Sequence, residues 1–107
     1  MDAEGFARNW LGLKEELLSM FLAAPAQTQV GVMISAMGLT SEQSNQLRAV
    51  FDVAITDTMY SLLLGLDGAA SIGGDQQIYK IHDEDGNLLS KCGELEAAAY
   101  AVFHGSK

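Results

Sequence analysis

The apolar residues of the first 23 positions recur with the period of a helix. They follow one another at spacings of four, three, four and three: Phe6, Trp10, Leu13, Leu17 and Met20. That spacing places them on one helix face and predicts an amphipathic, well-buried helix over 3–23. Asp2 is suited to cap its start, and Pro25 follows its end because the residue before a proline avoids the helical conformation.

A shorter apolar pattern predicts a second helix over 26–37. Its apolar face consists of Val30, Met33, Ile34 and Met37. Gly38 then fits the position just beyond a helix end, where a left-handed conformation is common.

The clearest local signal is a capping box at Thr40-Ser41-Glu42-Gln43, in which the side chains of Thr40 and Gln43 each bond to the other's backbone N–H. It predicts a long third helix that runs to about Leu64. Apolar residues cover much of its circumference, so we expect this helix at the centre of a bundle. They are Leu47, Val50, Phe51, Ala54, Ile55, Met59, Leu62 and Leu63.

The pattern changes after the long helix. Glycine and small residues dominate Gly65–Asp75, which we call the glycine junction, and we expect it to be a structured turn region. The β-branched and aromatic content of 76–82 favours a strand, a turn follows at 83–87, and Leu88 begins a return strand. The periodicity of 94–103 predicts a final helix with Leu95, Ala98, Ala99, Val102 and Phe103 on its inner face.

These elements predict an α+β fold that is mainly α: three N-terminal helices with a long central helix, a β-hairpin and a C-terminal helix. The 107 residues suffice for one core but not two, so we expect a single domain over 1–107.

Charge is distributed unevenly along the chain. The formal net charge is −8, and residues 49–90 hold seven acids against one base, Lys80, for a local net charge of −6. The acids are Asp52, Asp57, Asp67, Asp75, Asp83, Glu84 and Asp85. Such a field repels nucleic acid and anionic membranes and steers a basic protein partner. The alternative is a solvated face that only keeps the chain soluble. On the third helix, Arg48 lies four residues before Asp52 and is placed to pair with it.

The sequence lacks the residues that several kinds of binding and catalytic site require. Gly68–Gly73 resembles the start of a phosphate-binding loop, but Gly74-Asp75 replaces the required Lys-Ser/Thr. Asp83–Asn87 lacks the spacing and distal glutamate of a calcium loop. His82, Cys92 and His104 match no common zinc pattern, and nothing in the flanking sequence makes Cys92 a nucleophile. We therefore expect neither enzymatic activity nor a metal or other cofactor.

The compartment is predicted from three features. Cys92 is the one cysteine, which fits a reducing environment. The N-terminal residues are acidic where a signal peptide needs bases, and Asp52 and Asp57 interrupt the most apolar stretch, Ala49–Leu66. We therefore expect a cytoplasmic protein with no membrane association.

The stretch Thr56–Gly74 (TDTMYSLLLGLDGAASIGG), with Gly93–Glu96 (GELE) after it, resembles small acidic bacterial proteins. The overall character is similar to that of immunity proteins of polymorphic or contact-dependent inhibition toxin systems. The resemblance implies an intracellular protein that binds and neutralises a cognate toxin domain, and the acidity fits cover of a basic active site.

Three hypotheses follow. The first is an acidic protein-binding module of the immunity type, whose interface comprises the seven acids of 49–90. The second is a small-molecule-binding or enzymatic domain in which the junction Gly65–Gly74 forms a pocket wall. The third is a structural or adaptor subunit that forms a homodimer through its helices.

Overall fold

The computed structural model describes residues 1–105 and contains four helices in that range. They are α1 (Ala3–Phe21), α2 (Gln29–Ala36), α3 (Ser41–Leu66) and α4 (Glu94–Phe103). Each lies close to the segment where the periodicity predicts a helix, and the bounds of α4 coincide with the predicted ones.

The predicted α+β class is wrong, because residues 1–105 form no strand. In place of the hairpin, the segment around 76–89 holds an isolated bridge between His82 and Leu88. The backbone N–H of Tyr79 donates to the carbonyl of Leu66 at the end of α3, 3.1 Å away. Two backbone bonds flank the bridge: Asp83 N donates to Asn87 O at 2.9 Å, and Leu89 N donates to Ile81 O at 2.8 Å. The Asn87 N–H, which would extend the ladder toward the turn, donates to the Asp83 carboxylate instead. The described chain is therefore helical with irregular connections.

Side-chain caps set the helix starts. The capping box is confirmed: Gln43 N donates to Thr40 Oγ1 at 3.1 Å, and Thr40 N donates to Gln43 Oε1 at 2.9 Å. Asp2 caps α1 as predicted, accepting from Gly5 N at 2.9 Å. The second helix begins at Gln29, later than predicted, because Thr28 is extended and its hydroxyl accepts from the backbone N–H of Gly31.

The chain divides into two compact units. Unit 1 consists of Met1–Leu11 and Asp57–Lys107, and it holds most of the buried apolar side chains of residues 1–105. They are Ala3, Ala7, Met59, Leu63, Leu89, Leu95, Ala99 and Phe103. The predicted inner face of α4 is confirmed, since its three buried residues belong to that face and the other two are half-buried.

Unit 2 is Gly12–Thr56, and Leu18 is the buried large hydrophobic residue among its described side chains. Phe21 and Phe51 make an edge-to-face contact with ring centroids 6.3 Å apart. Many other apolar side chains of this unit are exposed: Leu13, Met20, Val32, Met33, Met37, Val50 and Val53. Unit 2 therefore has a thin core and an apolar surface.

Three predictions about burial are wrong. The first helix is not well buried along its whole apolar face, since Leu13 and Met20 on that face are exposed. Met33 and Met37, placed on the inner face of α2, are 61% and 60% exposed, and the helix instead turns Gly31 inward. The long helix α3 is not the buried centre of a bundle, since its buried residues are Met59, Leu63 and Gly65, all in its last turns. By length and composition alone, α3 is the one helix of residues 1–105 apolar enough to cross a membrane, and a core helix of a soluble protein meets the same criterion.

Candidate partner-binding surface

The end of α3 is closed by the first part of the glycine junction. Ala69 N donates to Leu64 O at 2.9 Å, and Gly68 N donates to Gly65 O at 3.2 Å. These two bonds form a Schellman motif, which needs a left-handed residue after the helix. Gly68 supplies it with φ +80°, and a side chain there would also collide with Ile78. The junction is thus a structured turn, as predicted.

Asp67 lies in this motif and connects two helices of unit 1. Its carboxylate accepts from the backbone N–H of Gly93 at 3.1 Å and from that of Glu96 at 2.9 Å. Gly93 is the N-cap residue of α4 and has no side chain to cap with. Asp67 therefore caps the start of α4 from a distant position in the sequence, as a Ser or Asp at the N-cap position does in other helices. Its negative charge also interacts favourably with the positive N-terminal end of the α4 dipole.

This role removes Asp67 from the surface. The residue is 6% exposed, and each carboxylate oxygen has a backbone donor. The carboxylate of Asp67, one of the seven predicted interface acids, is therefore used within the fold. The other six acids remain candidates for contact with a partner.

Asp57 and the glycine junction meet at an open cleft within unit 1. The cleft has a volume of about 430 Å³ and is lined by Asp57, Thr58, Ser61, Leu62, Ser71, Ile72 and Gly73. Gly65 permits part of this arrangement, because a Cβ at that position would collide with the Ile72 side chain. The cleft joins one carboxylate to several hydroxyls, a combination suited to an ammonium or guanidinium group.

Asp75 follows a tight turn at the second half of the junction. Ile72 and Asp75 exchange two backbone hydrogen bonds, and Gly73 and Gly74 between them both have positive φ. The Asp75 side chain is exposed and accepts from Gln77 Nε2 at 2.7 Å. Its charge is available at the surface.

Three consecutive acids stand on the loop that replaces the predicted hairpin turn. The Asp83 carboxylate accepts from the backbone N–H groups of Asp85 and Asn87, at 3.0 and 2.9 Å. The hydrogen bond from the Asn87 backbone lowers the pKa of Asp83 below its usual range. Glu84 and Asp85 project from this closed loop as exposed acids. Asp83 thus shapes the loop, and its neighbours carry the exposed charge.

Asp52 belongs to unit 2 and has a partner that the sequence did not reveal. Lys14 Nζ lies 2.6 Å from Asp52 Oδ1 and 3.0 Å from Thr56 Oγ1. The predicted pairing of Asp52 with Arg48 is wrong. Lys14 is 9% exposed on the α1 face that includes Leu18, so its ammonium is held at the edge of the apolar interior. The sequence signal for this burial was the position of Lys14, seven residues after Ala7 and four before Leu18, which places all three on one face of α1.

Residues 1–105 contain no group of three or more His, Cys, Asp or Glu side chains placed to hold a metal ion. Cys92 is a free, exposed thiol. The His104 ring packs edge-on against Tyr60 with centroids 4.6 Å apart, a contact within unit 1 that the sequence did not predict. Comparison with protein-family models, with curated proteins and with solved structures found no match to this chain.

Proposed function

We propose that the chain is an acidic protein-binding module that neutralises a basic toxin domain, as an immunity protein does. The observation that supports this most directly is the set of exposed acids on unit 1. Four carboxylates at Asp57, Asp75, Glu84 and Asp85 are exposed, and Lys80 is the one base in 49–90. A field of one sign accelerates encounter with a partner of the opposite sign.

The Asp57 cleft gives this surface a place where a basic side chain can be bound rather than only attracted. An arginine or lysine inserted there meets the Asp57 carboxylate, with hydroxyls at Ser61 and Ser71 to accept its remaining donors. Desolvated pairs of this kind account for much of the binding energy in interfaces between charged proteins. In this proposal the loop 83–87 steers the partner and the cleft anchors it.

The fixed backbone beneath these acids also supports the proposal. The junction is held by the Schellman motif, by the Asp67 cap and by the Ile72–Asp75 turn. A surface that is ordered before binding loses less conformational entropy when the partner arrives. The order of this backbone therefore supports an interface on unit 1, and the proposed protection would take place in the cytoplasm.

The proposal requires a basic toxin domain encoded beside this gene, and the test is protection of growth against that domain. Reversal of Asp57, Glu84 and Asp85 together to lysine should abolish protection and complex formation, because it changes the charge of that surface by six units. The matched control reverses the exposed acids Glu15, Glu16 and Glu42 of unit 2 and should retain protection. Equal loss with both sets would reject an interface on unit 1, and full protection by the first set would reject it as well.

A second candidate, a homodimeric subunit, is favoured by the surface of unit 2. Val32, Met33 and Met37 of α2 are exposed, and residues 17–41 contain no Asp, Glu, Lys, Arg or His. Two copies of an acidic chain repel each other least where neither carries charge. Sedimentation at micromolar concentration decides between the states: a dimer that the double change Met33→Gln, Met37→Gln dissociates supports this candidate, and a monomer rejects it.

A further inference from the structure

A second cavity lies within unit 2. Its volume is about 360 Å³, and it is bounded by the end of α1, by α2 and by the start of α3. Part of its lining is made of half-buried apolar side chains: Phe21, Leu22, Ile34, Leu39 and Leu47. A polar rim of exposed residues completes it: Ser35, Ser44, Asn45 and Arg48. The lining thus offers apolar and polar contacts in similar measure, and both kinds of contact hold a small molecule.

The polar rim of this cavity contains one charged group, the guanidinium of Arg48. Arg48 makes no ion pair or hydrogen bond with the residues that the structure describes, and the carboxylate of Asp52, one turn further along α3, pairs with Lys14. In a chain of net charge −8, an unpaired guanidinium beside this cavity lowers the repulsion that a negative group meets there.

The rest of the wall adds no opposing charge. Residues 17–41 are uncharged, and the α3 residues that line the cavity are Ser44, Asn45, Leu47 and Arg48. The hydroxyl of Ser44 and the amide of Asn45 supply further donors on the same helix, near its positive N-terminal end. A carboxylate is the group that a guanidinium binds through two parallel hydrogen bonds.

We propose that this cavity binds a small monocarboxylate with an apolar body, the carboxylate on Arg48 and the body against Phe21 and Ile34. The volume equals that of about twelve waters, which limits the ligand to roughly a dozen non-hydrogen atoms. The site is separate from the acidic surface of unit 1, and the proposal does not depend on the function proposed above.

The test uses 3-phenylpropionate as the probe and its neutral amide, 3-phenylpropanamide, as the matched ligand. Titration followed by two-dimensional amide NMR should give shift changes confined to residues 21–48, with a Kd on the order of millimolar for so small a ligand. The acid should bind about tenfold more tightly than the amide, because a charge-assisted pair with Arg48 is available to the acid alone. Equal affinities, or shift changes centred on unit 1, would overturn the proposal.

Variants separate the role of Arg48 from a general effect of charge. Arg48→Gln should remove the preference for the acid, whereas Arg48→Lys should retain part of it. Lys80→Gln removes one positive charge from unit 1 and should leave the preference unchanged. Ser35→Leu should fill the cavity and weaken both ligands. An acid preference that survives in Arg48→Gln, or binding that Ser35→Leu does not affect, would contradict the site.

Discussion

The two units differ in the size of their cores and in where their charge lies. Unit 1 buries eight apolar residues and places most of its acids on loops fixed by backbone hydrogen bonds. Unit 2 buries one large apolar residue among its described side chains, Leu18, and residues 17–41 within it carry no charge. Large apolar side chains are exposed on both units, with Leu62, Ile78 and Leu88 among those of unit 1. The difference teaches that charge and order go together in this chain, because the acidic surface stands on the better-packed unit.

The largest expected effect comes from the core of unit 1. Leu63 is fully buried, so Leu63→Ala should lower the free energy of unfolding by about 2–5 kcal/mol. The matched truncation Val50→Ala, on an exposed position of the same helix in unit 2, should change it by about 0.5 kcal/mol or less. Urea unfolding followed by circular dichroism measures both, and equal losses would remove the contrast between the units.

A somewhat smaller effect is expected at the cap that links α3 to α4. Asp67→Ala removes the acceptor of two backbone N–H groups in a buried place and should cost about 2–4 kcal/mol. Asp75→Ala removes an exposed acid of the same junction and should cost about 0.5 kcal/mol or less. Faster hydrogen exchange at the start of α4 should accompany the first change alone. If both variants unfold at the same urea concentration, Asp67 is not the structural acid of unit 1.

The smallest effect concerns the acidic loop. The pKa of Asp83 is lowered in the folded chain, so its ionised form stabilises the loop above the ordinary pKa of an aspartate. That contribution is lost as the pH falls through the lowered pKa. NMR titration should show the amide signals of Asp85 and Asn87 shifting together in this acidic range, and Asp83→Ala should abolish the transition. A transition that persists in Asp83→Ala would belong to another group.

Local signals in the sequence were sufficient to locate the four helices, although α2 begins later than predicted. The capping box at Thr40 and the period of 94–103 act within one turn of helix, so they are readable without knowledge of the fold. The predicted hairpin is reduced to one bridge, and donors on both sides of it are bound elsewhere: the Asn87 N–H to the Asp83 carboxylate and the Tyr79 N–H to the carbonyl of Leu66. Strand propensity describes a half-buried surface and carries no information about such competitors.

The candidate site was predictable only as a distribution of charge. Sequence located the acids of 49–90, but it could not separate Asp67, whose carboxylate faces the start of α4, from Asp75, which faces solvent. The sequence predicted a pair between Asp52 and Arg48 because the two lie four residues apart on one helix. The actual partner, Lys14, belongs to another helix. Tertiary contacts thus decide which acids serve the fold and which remain at the surface.

The most direct test of an acidic binding surface on unit 1 is its association rate with a basic protein domain of the proposed toxin class, measured by stopped flow as the salt concentration is raised. We predict that the rate falls steeply with salt for the native chain. It should be slow and nearly independent of salt after reversal of Asp57, Glu84 and Asp85, and near native after reversal of Glu15, Glu16 and Glu42. A native rate that does not change with salt would contradict the account.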